Sequence, residues 1–270
     1  MPVDAAKRTI VALGGGGFSM ESANPLLDEY VLGLSGSPRP RVCFIPSASG
    51  DADHYVVRFY RAFAERAECS HLSLFRRDHD LDRLRDLLLA QDLIYVGGGS
   101  VISLLGVWRA HGVDAILAEA WRSGVVLCGV SAGSLCWFAE GVTAFHGAPR
   151  RFEGLGFLPW SNTVHYESDR RRTDAFRELV KQGMAPGYAA SDGSALHFEG
   201  DRLVRVVSSR PSARVFRLAC CNGRVKKRPL RVDYLGAGLD RVDQESTRDA
   251  PVPLMPLPAP AAAADAAAAG

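Results

Sequence analysis

The chain has no excess of charge of one sign: 32 Lys and Arg stand against 30 Asp and Glu, a net of +2 over 270 residues. With acids and bases interspersed, no field favours nucleic acid or a membrane surface. No run approaches the ~18 apolar residues of a membrane span, and Met1 to Arg8 lacks the long apolar stretch of a signal peptide. A cytoplasmic location is therefore expected. The six cysteines, Cys43, Cys69, Cys128, Cys136, Cys220 and Cys221, include no CxxC pair. That speaks against a structural zinc site and for reduced thiols. No metal-ligand spacing appears elsewhere, so neither a metal nor an organic cofactor is expected. What is present is 47% hydrophobic residues, enough for a substantial core in one large or two small domains.

The most informative stretch is Gly124-Val-Val-Leu-Cys-Gly-Val-Ser-Ala-Gly-Ser-Leu-Cys-Trp-Phe138. An apolar run from Val125 to Val130 ends at a Gly-x-Ser-x-Gly pattern (Gly129, Ser131, Gly133), and apolar residues at helical spacing follow. That is the order strand, tight turn, helix. In such a nucleophile elbow the serine occupies a strained turn with its Oγ exposed, and small neighbours let backbone pass close by.

Upstream, short apolar strands alternate with helical patterns. Thr9 to Leu13, Arg41 to Ile45, His71 to Phe75 and Asp92 to Val96 read as strands. Asn24 to Leu34, Asp51 to Arg66, Leu81 to Ala90, Val101 to Ala110 and Val113 to Arg122 read as helices. Alternation of this kind predicts βαβ units and a mostly parallel sheet, whose ligands bind outside the carboxyl ends of the strands. Three turns converge there: Gly14 to Gly17, Gly97 to Ser100 and Gly129 to Gly133. The four glycines after the first strand lack the Gly-x-Gly-x-x-Gly order of a dinucleotide fingerprint. They read instead as a loop that needs positive φ or close backbone approach at the rim of a cleft.

Beyond the elbow, Gly141 to Leu158 reads as a loop and Arg170 to Gln182 as a charged helix. Leu203 to Val207, Val215 to Ala219 and Arg224 to Val232 alternate as a closing antiparallel region. Residues 1–242 are expected to form a single catalytic α/β domain. From Asp243 the chain is rich in Pro and Ala and reads as a disordered tail.

A serine hydroxyl needs a base, and the base needs an orienting acid. Of the seven histidines, His54, His71 and His79 read as surface or packing residues. His111 follows a helix, His146 lies in the loop, and His197 lies in a strand. His165 ends a strand-like segment beyond the elbow, which would bring it to the sheet edge that carries Ser131. For the acid, Asp192 in Ala190-Ser-Asp-Gly-Ser194 is favoured. The alternative is Glu140, which is expected to end the helix that starts at the elbow. The oxyanion of acyl transfer needs preorganised N–H donors. Ala132 can supply one, and Gly98 or Gly99 the other.

These blocks, with Val96-Gly-Gly-Gly-Ser100, Leu155-Gly-Phe-Leu-Pro159 and Val164-His-Tyr166, resemble the peptidase E family of serine dipeptidases and its relative cyanophycinase. The likeness extends from Thr9 to Arg231. It implies a three-layer αβα fold like that of class I glutamine amidotransferases, with serine in place of cysteine at the elbow. It further implies Ser131 as nucleophile, His165 as base, and Gly98 with Ala132 in the oxyanion region. Asp192 lies in the block resembling the one that carries the cyanophycinase acid, a glutamate there. After Phe138, relatives often continue with an aspartate-bearing segment, where this chain has Ala139-Glu-Gly-Val-Thr-Ala-Phe-His-Gly147.

The expected activity is hydrolysis of small peptides through a Ser-His-acid triad and an acyl-enzyme, with N-terminal aspartyl dipeptides as the implied preference. Arg150, Arg170 and Arg171 are the expected cations for a substrate carboxylate. A second copy of the chain is the expected protein partner. An esterase or amidase using the same serine, or a binding protein that keeps the fold without the chemistry, are the competing readings.

Overall fold

In a computed structural model, which describes residues 7–75 and 80–238, the first half of the chain alternates strands and helices. The elements run β1 (Thr9–Leu13), α1 (Gly17–Met20), α2 (Leu26–Gly33), β2 (Arg41–Ile45), α3 (Asp53–Phe63), β3 (Glu68–His71), α4 (Leu81–Leu89), β4 (Leu93–Val96), α5 (Val101–Ala110), α6 (Val113–Arg122) and β5 (Val126–Val130). The second half is mostly strand: α7 (Ala132–Leu135), β6 (Phe138–Thr143), β7 (Arg150–Glu153), β8 (Leu158–Val164), α8 (Arg170–Lys181), β9 (Gly187–Ala190), β10 (Ser194–Glu199), β11 (Arg202–Ser208), β12 (Val215–Cys221), β13 (Arg224–Pro229) and β14 (Asp233–Tyr234). A compact unit ends at Gly236. His79 and the Pro- and Ala-rich tail lie outside the described residues.

Eight strands form one sheet in the order β14-β11-β10-β1-β5-β4-β2-β3. Strands β1, β5, β4, β2 and β3 are mutually parallel, while β10 runs antiparallel to both β1 and β11. Strands β1, β4 and β5 are buried along their whole length, as expected where a sheet is covered on both faces, while β3 at the edge is not. Alternate residues serve opposite cores. Val11, Phe44, Tyr95 and Cys128 pack with Phe18, Leu27, Phe59 and Phe63 of α1, α2 and α3. Ala12, Cys43, Ile94 and Leu127 pack with Leu88, Leu104, Trp108 and Leu117 of α4, α5 and α6. Each fully buried aromatic or leucine contributes roughly 1.5–3 kcal/mol through removal from water.

Two sequence expectations are corrected here. The third strand spans Glu68–His71, not His71 to Phe75, and the Asp51 carboxylate accepts hydrogen bonds from Leu74 N–H (2.6 Å) and Phe75 N–H (2.8 Å) that hold the stretch beyond it as a bend. The segment 141–158 is not a loop. Strands β6 and β7 form a hairpin there, and with β8, β9, β12 and β13 they build a second, six-stranded sheet in the order β13-β12-β9-β8-β6-β7. Leu158, Val164, Tyr188 and Ala190 of this sheet join the core on the α5 side of the first. No single helix among the described residues is long and apolar enough to cross a membrane.

Candidate active site

Strand β5 carries its chain to the sheet edge and stops at Ser131, whose φ of 56° and ψ of −111° lie outside the ordinary regions for a residue with a side chain. The turn is held on both sides. Ser131 N–H donates to Leu13 O at 3.2 Å, and Leu135 N–H donates to Ser131 O at 2.9 Å. The flanking glycines permit the close fold: a Cβ on Gly129 would stand 2.9 Å from Gly133 Cα, and one on Gly133 would stand 2.7 Å from the Val96 carbonyl carbon. The helix that follows is a single turn. Its continuation, Phe138 onward, pairs with β7 and β8 instead. Gly141 disfavours helix, and Val142 and Thr143 are β-branched.

His165 follows β8 of the second sheet, and Asp192 lies in the turn from β9 to β10, where the chain passes from the second sheet into the first. His165 Nε2 is 2.9 Å from Ser131 Oγ, and its Nδ1 is 2.5 Å from Asp192 Oδ1. Hydroxyl, imidazole and carboxylate thus stand in line across the seam between the sheets. His165 also has a positive φ, 54°, and its N–H donates to Gly14 O at 3.1 Å. Ser168 Oγ donates to the second carboxylate oxygen of Asp192 at 3.1 Å. Burial pushes the Asp192 carboxyl up. The hydrogen bond and charge of His165, the Ser168 hydroxyl and the Arg210 charge outweigh it and hold the group below the ordinary carboxylate range. Asp192 is therefore ionised at neutral pH, as an orienting acid must be.

Two of the four glycines after β1, Gly14 and Gly15, serve this pair. Gly14 receives the His165 N–H, and Gly15 O accepts Gly193 N–H at 3.0 Å. A Cβ on Gly15 would stand 3.0 Å from Asp192 Cγ and 3.1 Å from His165 Cε1. Close backbone approach at Gly14 and Gly15 and a positive φ at Gly16 (102°) and Gly17 (56°) account for the run.

At the end of β4, Gly98 lies against Ser131, whose Cβ would be 3.4 Å from a Cβ placed on this glycine. Its expected role as N–H donor to an oxyanion meets an obstacle: Gly98 N–H already donates to Tyr55 Oη at 3.1 Å. Gly99, at a φ of 140°, has no hydrogen-bond acceptor for its N–H among the described residues. Ala132, first in its helix, has no intrahelical acceptor for its own. A cavity of about 340 Å³ opens over these groups, lined by Ser19, Met20, His54, Tyr55, Arg58, Gly98, Gly99, Ser131 and His165. His54, read from sequence as a surface or packing residue, lies in this lining.

The remaining sequence candidates fall elsewhere. Glu140 is in β6, not at a helix end. Its Oε1 accepts Ala185 N–H at 2.5 Å and its other oxygen pairs with Arg151, so it has no path to Ser131. Arg150 is exposed and lines a separate groove with Ile102, Arg109 and Phe152. Arg170 and Arg171 open α8 on an exposed turn, with Arg171 paired to Asp169. The cation in the cavity is Arg58, on α3, which sequence reading passed over because it looks like one polar residue of an amphipathic helix. Its guanidinium is anchored by the carbonyls of Phe18 (3.1 Å) and Ser19, and it makes no ion pair among the described residues.

A serine hydroxyl, an imidazole and a carboxylate in this order, beside free backbone donors, form the constellation that hydrolases use for acyl transfer. Comparison with known proteins gives the class a name. Residues 10–206 match the model of peptidase family S51, and the chain belongs to that family. It is 45% identical over 232 residues to the uncharacterized peptidase YgaJ of Bacillus subtilis, covering 85% of this chain and all of that one. It is 29% identical to peptidase E of Streptomyces coelicolor over 66% of this chain and 74% of the relative. A crystal structure of a peptidase from an acI-B1 actinobacterium shares the fold at a TM-score of 0.67, with 18% identity over 84% of this chain and 96% of that one.

Proposed function

We propose that the chain is a serine dipeptidase that acts in the cytoplasm on small peptides, on an αβα framework of the class I glutamine amidotransferase kind. The observation that carries this reading is the unbroken hydrogen-bonded line from Ser131 Oγ through His165 to Asp192. Ser131 attacks the scissile carbonyl while His165 Nε2 takes its proton, and Asp192 holds the ring in the tautomer with the proton on Nδ1. The Ala132 and Gly99 N–H groups stabilise the oxyanion. His165 returns the proton to the leaving amine, and water then attacks the acyl-enzyme by the reverse path. Arg58 supports a preference for an acyl residue carrying a carboxylate, such as an N-terminal aspartate, since the cavity wall that bears it contains no acidic residue. The cavity is small, which suits a dipeptide better than a long chain. The six unpaired cysteines accord with a reducing compartment.

The test is release of free amino acid from a panel of Asp-X and other dipeptides, with Ser131→Ala beside the unmodified chain. Loss of the nucleophile is expected to remove several orders of magnitude in rate. Activity that survives in Ser131→Ala refutes the assignment. Folded protein that neither cleaves peptides nor reacts with a fluorophosphonate at Ser131 refutes serine catalysis altogether.

A further inference from the structure

We infer that Tyr55 is a catalytic residue, whose hydroxyl supplies to the oxyanion the hydrogen bond that Gly98 N–H would otherwise give. The inference rests on the serine-hydrolase reading of the site and adds a group to it. Gly98 occupies the place beside Ser131 where a backbone donor is expected, yet its N–H points to the phenol oxygen 3.1 Å away. A substrate oxygen could claim that N–H only by expelling the phenol. The ring is not free to leave. It is 6% exposed and wedged between Phe18 (centroids 5.6 Å) and Phe44 (5.0 Å), in the aromatic core beneath α3.

The phenol therefore stays and becomes the donor. Its oxygen accepts from Gly98, which leaves its own proton available to a partner. In the resting enzyme Ser19 Oγ lies 2.6 Å away on the wall of the same cavity, in a hydrogen bond in which either hydroxyl can donate. When the substrate carbonyl enters, rotation of the O–H about the fixed C–O bond turns the proton toward the oxyanion, with no movement of the ring. The Gly98 N–H polarises the phenol in the sense that strengthens this donation as negative charge grows. Burial pushes the phenol above its ordinary value, so it keeps its proton at neutral pH and acts as a donor throughout.

Two alternatives compete with this role. Tyr55 could be a brace for the glycine turn, or a plug whose removal frees Gly98 N–H for catalysis. Tyr55→Phe separates them, because it keeps the ring in the aromatic core and deletes only the hydroxyl. On a cleaved dipeptide the expected result is a fall of about 10²-fold in kcat with KM changed little, the signature of an interaction made in the transition state. A kcat that is unchanged or raised overturns the inference. The second-order rate of Ser131 labelling by a fluorophosphonate gives a readout independent of peptide choice, since its P=O oxygen uses the same donors. The expected result is slower labelling of Tyr55→Phe at unchanged melting temperature. If both forms label equally fast, the role of Tyr55 fails while the serine hydrolase stands. If neither form labels nor cleaves, it is the reading of the site that fails, and the role of Tyr55 with it.

Discussion

Gly15→Ala is the sharpest perturbation available, because it adds one methyl group to the site and removes no functional atom. The φ of Gly15 lies outside the left-handed range, so alanine meets no backbone strain there. Everything follows from the space. The new Cβ would stand 3.0 Å from Asp192 Cγ and 3.1 Å from His165 Cε1, with Asp192 Oδ1 closer still. Ordinary contact begins near 3.5 Å, so relief asks for a displacement of about 1 Å in the carboxylate, the ring or the loop. Crowding of this kind costs about 1–3 kcal/mol in stability. The effect on catalysis is larger, since about 1 Å of misplacement at a reacting group costs on the order of 10² in rate. The assay is kcat on a cleaved dipeptide, together with the rate of fluorophosphonate labelling and the melting temperature. Gly106→Ala is the control: it lies inside α5 with open space at its Cβ and is expected to gain about 0.5–1 kcal/mol in stability with activity unchanged. Wild-type kcat in Gly15→Ala would refute the claim that the first glycine loop packs against the His165–Asp192 pair in the working enzyme.

Two further outcomes are expected. Arg58→Met, which keeps the aliphatic stem and deletes the charge, should raise KM about 10-fold or more for dipeptides with an acidic acyl residue and little for neutral ones, measured on matched Asp-X and Ala-X pairs. The buried Asp28 should make stability depend on pH. Burial pushes its carboxyl from the ordinary 3.8 to about 7, against the opposing pull of the Phe18 N–H, the Arg66 charge and the Tyr95 hydroxyl. The folded chain then keeps a proton that the unfolded chain has lost between about pH 4 and pH 7, so stability falls as pH rises through that window and levels above it. The full effect is on the order of 4 kcal/mol. Denaturation midpoints at pH 5 and pH 8 should differ less in Asp28→Asn than in the unmodified chain; an equal difference in both counts against Asp28 as the source.

Much of the first half of the chain was legible because each element there has its own period and punctuation. Helices α5 and α6 begin and end at the residues their patterns predict, Ser100 capping the first through the Ser103 N–H. The elbow could be read because a buried strand, a Gly-x-Ser-x-Gly turn and a helical residue follow one another directly. His165 and Asp192 were found from their positions after strand-like segments, but their meeting depends on a second sheet that no local signal announces. It mixes adjacent hairpins, β6 with β7 and β12 with β13, with parallel pairs that need the chain to cross over, and β6 was masked by apolar residues that suit a helix equally well. Hence Glu140, sought at a helix end, proved to be a strand residue holding Ala185 and Arg151. Arg58 and Tyr55 escaped for a different reason: both belong to a helix whose amphipathic pattern is fully accounted for by packing, and only the fold shows that its edge meets Ser131.

The seam on which the site is built also bears on how the chain folds. Strand β1 lies between β5 and β10 in the large sheet, and the 62 residues between Ser131 and Ser194 hold most of the other sheet's inner strands. The large sheet therefore cannot close until this insert has itself condensed and delivered β10 to β1, a contact between residues almost two hundred positions apart. Such long-range closure is slow because loop entropy is lost before pairing compensates for it. Catalytic competence is then among the last properties the nascent chain acquires: Ser131 is made before His165 and Asp192, and the site is not assembled until the insert has closed behind it.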